Sequence, residues 1–161
     1  MSTRTTIRRV SHTEILAAPN AQQLIDEYAA ECSIPQIGKI NQQGEIYAAL
    51  EQSGLMTCFG VFAHLDHPLD PPSLVGFASV LISVLPHYGC RVATVESLFV
   101  AGAQRDGGAG RDLMAALELH AQEAGCPAIL YSAPEDSDFH FVLAASRPYK
   151  LTNVVYCRSL A

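Results

Sequence analysis

Arg105-Asp106-Gly107-Gly108-Ala109-Gly110-Arg111 is the stretch on which the reading of this chain turns. Before it, Thr94-Val95-Glu96-Ser97-Leu98-Phe99-Val100 has the apolar character of a buried strand. After it, Leu113, Met114, Leu117 and Ala121 recur at helical spacing. Strand, glycine-rich turn and helix are therefore consecutive. A helix start leaves backbone N–H groups unpaired and carries partial positive charge, so glycines that let a ligand approach it closely make an anion cradle. Arg105 and Arg111 add formal charge at either end.

Two nucleotide-binding readings fail, one on placement and one on residues. A dinucleotide fold wants its glycine loop after the first strand of a longer parallel sheet; here the loop lies past mid-chain. A nucleotide-hydrolysing phosphate loop needs Gly-Lys-Ser or Gly-Lys-Thr, and neither occurs. Working outward, the spacing predicts a strand over Thr6–Val10, a helix after Asn20 as N-cap, and a second helix over Ile46–Gln52 that stops at Gly54. Strands follow at Leu55–Ala63, Leu74–Leu85 and Arg91–Val100, with a surface loop over Asp66–Pro72. The loop helix, Gly110 to Ala124, ends where Gly125 can cap it and Pro127 prevents continuation. A strand over Ala128–Ser132, a short helix over Asp138–Ala145 and a last strand over Asn153–Ser159 complete the pattern.

The motif R-x-x-G-x-G in this order of elements resembles the GNAT N-acetyltransferases, and the likeness covers essentially the whole chain. It implies a single α/β domain over residues 1–161, with a mixed, mostly antiparallel sheet flanked by helices. It also implies acetyl-CoA as acyl donor. Residues 105–111 (Arg105, Asp106, Gly107, Gly108, Ala109, Gly110 and Arg111) would surround the pyrophosphate, and the backbone of Leu98, Phe99 and Val100 would pair with the pantetheine arm. The Val100 N–H is the leading donor to the thioester oxygen. The arm would enter a gap where Val95–Val100 and Ala128–Ser132 splay apart.

Amine acetylation needs a neutral nucleophile, because an alkylammonium near pKa 10.4 has no free lone pair at neutral pH. Glu96, in the strand entering the loop, is the expected general base. Many relatives carry Tyr-x-x-x-Gly-Phe near the C-terminus, whose tyrosine protonates the departing thiolate. Here Ala144 stands at the tyrosine place and Pro148 at the glycine place, which leaves the general acid unassigned; Tyr131, His140, Ser146 and Tyr149 are the nearby groups able to help. The alternative to a transferase is a non-catalytic acyl-CoA sensor or interaction module.

The remaining composition sets bounds. The chain of 161 residues is 49% apolar, long enough for one substantial core. No apolar run is long enough to span a bilayer and the N-terminus lacks a secretory apolar core, so a cytoplasmic protein is expected without membrane association. A formal charge of -6 argues against a nucleic-acid surface. Five scattered cysteines without a C-x-x-C pair read as free thiols, with Cys58, Cys90 and Cys157 as packing residues. His64, Asp66 and His67 lack further metal ligands at a convincing spacing, and no metal is expected. The acceptor is expected to be the amine of a small molecule or peptide, with Tyr28, Glu45, Tyr47, His87 and Tyr88 in the segments that wall its site in the family. The resemblance leaves monomer and homodimer both open.

Overall fold

The computed structural model describes residues 4–64 and 71–160. Five strands, β1 (Thr5–Val10), β2 (Met56–Ala63), β3 (Ser73–Leu85), β4 (Cys90–Val100) and β5 (Ile129–Leu130), lie side by side in chain order. The first four pair antiparallel; β4 and β5 pair in parallel. A parallel neighbour requires a crossover, supplied here by a 3-10 turn over Gly102–Gly107 and helix α4 (Ala109–Glu123). Helices α1 (His12–Ala17), α2 (Ala21–Cys32) and α3 (Gly44–Gln52) precede β2, and α5 (Asp138–Ala145) follows β5.

The sheet is buried on both faces. On one, Leu113 and Leu117 of α4 are fully enclosed against Val61, Val80, Ala93 and Val95. On the other, Ile15 of α1 and Leu24 of α2 pack on Met56, Cys58, Leu74, Phe77 and Phe99. Two burial faces explain why the central strands read as nearly continuous apolar runs.

The glycine turn, the meander β2–β4 and the helix Asp138–Ala145 stand as expected, and four details differ. Helix α1 was not anticipated, although Ser11-His12-Thr13-Glu14 spells a capping box: the Glu14 N–H donates to Ser11 Oγ and the Ser11 N–H donates to Glu14 Oε2. Asn20 precedes α2 but caps nothing through its side chain; its amide instead donates to the Leu74 carbonyl at 2.7 Å and ties the helix to β3. The strand expected over Ala128–Ser132 contracts to Ile129–Leu130, held between Pro127 and Pro134. The last expected strand, Asn153–Ser159, is not formed. Residues 150–160 carry no regular structure and Val155 and Tyr156 are exposed, because a strand needs a ladder and β5 pairs at only two positions. Cys157, expected to pack, is consequently exposed, whereas Cys58 and Cys126 are buried.

Candidate active site

The glycine turn builds an open helix end. Gly108 has φ +84°, a left-handed conformation that favours glycine, and it turns the chain from the 3-10 segment into α4. The helical ladder starts with the Asp112 N–H donating to the Gly108 carbonyl, so the N–H groups of Ala109, Gly110 and Arg111 stand ahead of it at the positive end of the dipole. Gly107 and Gly110 have no positive φ, and a Cβ at either would meet nothing within 4 Å. Neither conformation nor internal packing demands a glycine there. Glycine in a helix costs up to about 1 kcal/mol relative to alanine, and without side chains both residues leave the space in front of the turn open. The residues present thus fit a pyrophosphate approaching from outside.

The two arginines of the motif divide. Arg111 is exposed, with no ion pair among the described residues. Arg105 is folded inward: its Nε donates to the Val100 carbonyl at 2.8 Å, its Nη2 donates to both oxygens of Glu31 on α2 at 2.7 and 2.8 Å, and it lies 5.5 Å from the Phe99 ring centre. Its guanidinium fastens the turn to β4 and α2. Asp106 and Asp112 are exposed on the turn and the first helical turn.

Strand β4 offers backbone groups beside this turn. The Ala101 N–H donates to the Val75 carbonyl, which sets the phase of the β3/β4 ladder. In an antiparallel pair the bonding direction alternates, so Phe99 bonds toward β3 while the N–H and C=O of Leu98 and Val100 point to the opposite side. Arg105 reaches the Val100 carbonyl on that side. Strand β5 pairs only with Ala93 and Thr94. Beyond Thr94 this edge of β4 has no strand partner among the described residues.

Glu96 sits where the β3/β4 register slips: Ser79 pairs with Ser97 and Val80 with Val95, leaving Glu96 as the extra residue of a β-bulge. The bulge lets Glu96 and Ser97 address the same face of the sheet, the one covered by α1–α3. There Ser79 Oγ donates to Glu96 Oε2 at 2.6 Å and lies 2.7 Å from Ser97 Oγ. Because the Ser79 proton is committed to the carboxylate, Ser97 is the donor of the second bond. The Tyr47 hydroxyl of α3 faces both carboxylate oxygens at 3.3 and 3.4 Å, and its ring stacks on His12 at 3.7 Å. Burial and the neighbouring carboxylate of Glu96 push both Tyr47 and Tyr28 above the usual phenol range. Burial lowers His12, so at neutral pH it is an uncharged imidazole. Glu96 takes part in no ion pair among the described residues.

Other expected residues fall elsewhere. Ala144 is an exposed alanine on α5. The Tyr149 hydroxyl donates to Glu118 of α4 at 2.6 Å, and the Tyr131 hydroxyl approaches the same oxygen at 3.3 Å. Burial and Glu118 push Tyr149 up to about 12. Ser146 Oγ donates to the Val142 carbonyl and the His140 N–H donates to Ser137 Oγ. His87 and Tyr88 are exposed at the β3–β4 turn, as is Glu45 at the start of α3. His64 is exposed beside Thr6, while Asp66 and His67 lie outside the described residues. No group of three metal-ligating side chains converges among the described residues. Burial pushes the Cys58 thiol up to about 12, which makes it a packing group at neutral pH. Ser79, Ser97 and His12 were missed: single serines within apolar strands and one histidine in a polar stretch carry no spacing signal.

A family model described as the acetyltransferase (GNAT) family matches residues 24–140. A comparison with curated protein sequences finds no match. Solved structures do match. A ribosomal-protein-alanine N-acetyltransferase from Brucella melitensis biovar Abortus 2308 is 18% identical, with TM-score 0.66 over 96% of each chain. An aminoglycoside acetyltransferase from an uncultured soil metagenomic sample, solved with sisomicin, is 20% identical, with TM-score 0.66 over 98% of this chain and 97% of that one. AAC(6')-Iy, in complex with the bisubstrate analogue CoA-S-monomethyl-acetylneamine, is 17% identical, with TM-score 0.64 over 99% and 100%.

Proposed function

The chain belongs to the GNAT acetyltransferase family of enzymes, and from that premise we propose that it transfers an acetyl group from acetyl-CoA directly to a primary amine of a small molecule or peptide, in the cytoplasm. The observation that carries this reading is the convergence on one strand of three things the reaction needs. Strand β4 carries Glu96, turns outward the N–H groups of Leu98 and Val100, and runs into the glycine turn.

Acetyl-CoA, when bound, supplies the activated thioester. The N–H groups of Ala109, Gly110 and Arg111 hold its pyrophosphate, and the free edge of β4 aligns its amide-bearing arm. The Val100 N–H stabilises negative charge developing on the acyl oxygen, a role that a preorganised backbone donor fills without reorganisation. Glu96 takes the proton of the acceptor amine. That no cation pairs with it among the described residues supports this role, since an ion-paired carboxylate is a poorer proton acceptor. The acceptor enters from the side of α2 and α3, where Tyr28 and Tyr47 border the carboxylate. No proton donor to the leaving thiol is required, because thiols of ordinary acidity near 8.5 depart readily as thiolates.

One observation favours a second reading, a protein that retains acyl-CoA without turnover: Ala144 offers no proton, and the Tyr149 hydroxyl is already given to Glu118. Calorimetric titration with acetyl-CoA, with CoA and NAD as comparison ligands, tests the shared premise. Release of free thiol over a panel of amines then separates the two. Selective acetyl-CoA binding with amine-dependent thiol release supports the transferase; binding without release supports the sensor. Absence of binding to either form of CoA refutes both.

A further inference from the structure

Three polar residues are buried among the described residues: His12, Ser79 and Ser97, at 4%, 2% and 5% exposure. All three lead to one carboxylate. Ser97 donates to Ser79, Ser79 donates to Glu96 Oε2, and His12 stacks on the Tyr47 ring whose hydroxyl faces Glu96. Buried polar groups are a cost unless they are satisfied, and each calls for an explanation. The sheet does not need these hydroxyls. Ser79 and Ser97 face each other across β3 and β4 in positions where alanine would pack without loss of a ladder bond. His12 retains a buried Nδ1 without a partner while its Nε2 meets Gln42 at 3.2 Å.

We infer that Ser79, backed by Ser97, is a positioning residue that clamps Oε2 of Glu96 and leaves Oε1 as the atom that accepts the amine proton, with Tyr47 on its His12 stack as the outer wall of the clamp. This rests on the assignment of Glu96 as general base. The two oxygens are held unequally. Oε2 has the short Ser79 bond, whereas among the described residues the nearest donor to Oε1 is Tyr47 at 3.4 Å, longer than an effective O–H···O bond. A carboxylate on a bulged strand edge has several rotamers; one fixed oxygen selects among them and aims the other. In the reaction a proton passes from the acceptor ammonium to Oε1, the freed lone pair forms the N–C bond while the carbonyl pair moves onto oxygen, that pair re-forms the carbonyl as the C–S pair leaves on sulfur, and the excess proton left on nitrogen passes to the thiolate, giving the amide and the free thiol.

The test is a double-mutant cycle on the full chain with Ser79→Ala, Ser79→Thr, Glu96→Gln and the pair Ser79→Ala/Glu96→Gln. It reads kcat and KM from thiol release with acetyl-CoA and whichever panel amine the wild type uses, and acetyl-CoA affinity by calorimetry. A hydroxyl bond to a charged group is strong enough that Ser79→Ala should lower kcat by at least about tenfold, with acetyl-CoA affinity unchanged and Ser79→Thr restoring most of the loss. In the Glu96→Gln background the same substitution should cost nothing further. Unchanged kcat in Ser79→Ala, or an equal loss with and without Glu96, overturns the inference. Should Ser79→Ala fail to fold, Ser97→Ala and Tyr47→Phe in the same cycle decide it. Unchanged turnover in Glu96→Gln removes the base assignment and this inference with it, whereas failure to bind acetyl-CoA refutes the transferase reading itself; the two failures are read on different instruments.

Discussion

Replacing Gly110 by glutamate should move stability and cofactor affinity in opposite directions, which makes it the sharpest probe of the turn. The site tolerates a side chain: a Cβ there meets nothing within 4 Å, and φ is not in the left-handed region. Glutamate is the better helix former by about 0.5 kcal/mol. A carboxylate in the first turn of α4 adds about 0.3–1 kcal/mol through the dipole. The folded protein should therefore be as stable as wild type or slightly more so. A phosphate at the N–H groups of Ala109, Gly110 and Arg111 would stand within about 4–8 Å of the new charge. At an effective dielectric of about 20, each unit of like charge costs roughly 2–4 kcal/mol over that range. Acetyl-CoA should bind roughly 30- to 700-fold more weakly. Calorimetric titration gives the affinity and urea denaturation the stability, with Gly110→Ala as the uncharged control. Wild-type affinity in a folded Gly110→Glu protein would refute the turn as a pyrophosphate site. Gly108→Glu is a poorer probe, because φ +84° strains any side chain there.

Further outcomes follow from the same geometry. Glu96→Gln should depress turnover at neutral pH by about 100-fold, in the range of general-base contributions, with little effect on acetyl-CoA affinity; stopped thiol-release assays and calorimetry read the two separately. Leu117→Ala should destabilise by about 2–5 kcal/mol, because Leu117 is fully buried between α4 and the sheet; urea unfolding measures it. His12 and His120 are both held below 6.5 by burial. The unfolded chain therefore binds more protons below that value, so stability should be full above pH 6.5 and fall as pH drops toward the folded pKa values. Urea midpoints between pH 7.5 and 5.5 should show this fall, and His12→Gln should flatten it.

Much of this architecture was legible in local pattern. The glycine turn, the apolar meander and the Gly125–Pro127 stop each follow from a short-range rule of chain geometry, and each is present. The six residues of α1 were legible too, in the capping box from Ser11 to Glu14, but the helix is too short for hydrophobic periodicity to reveal it. The last strand was misread for the opposite reason. Val154-Val155-Tyr156 has strand chemistry, but pairing depends on what β5 offers, and a two-residue ladder is a tertiary fact. The likeness of the motif pointed to Glu96, but not to its support. A register slip between β3 and β4 and two serines facing across it cannot be read from spacing along one strand. Arg105 illustrates the same limit: the motif suggests a phosphate ligand, and only the fold reveals that Glu31 holds its guanidinium.

The bulge at Glu96 makes this residue dispensable to the architecture. Without it, the Ser79–Ser97 and Val80–Val95 pairs would follow one another directly, and the strict alternation of faces along β4 would be restored. Deletion of that one residue would close the ladder and keep the glycine turn, and its cost would fall on the buried Ser79 hydroxyl, which would lose its acceptor.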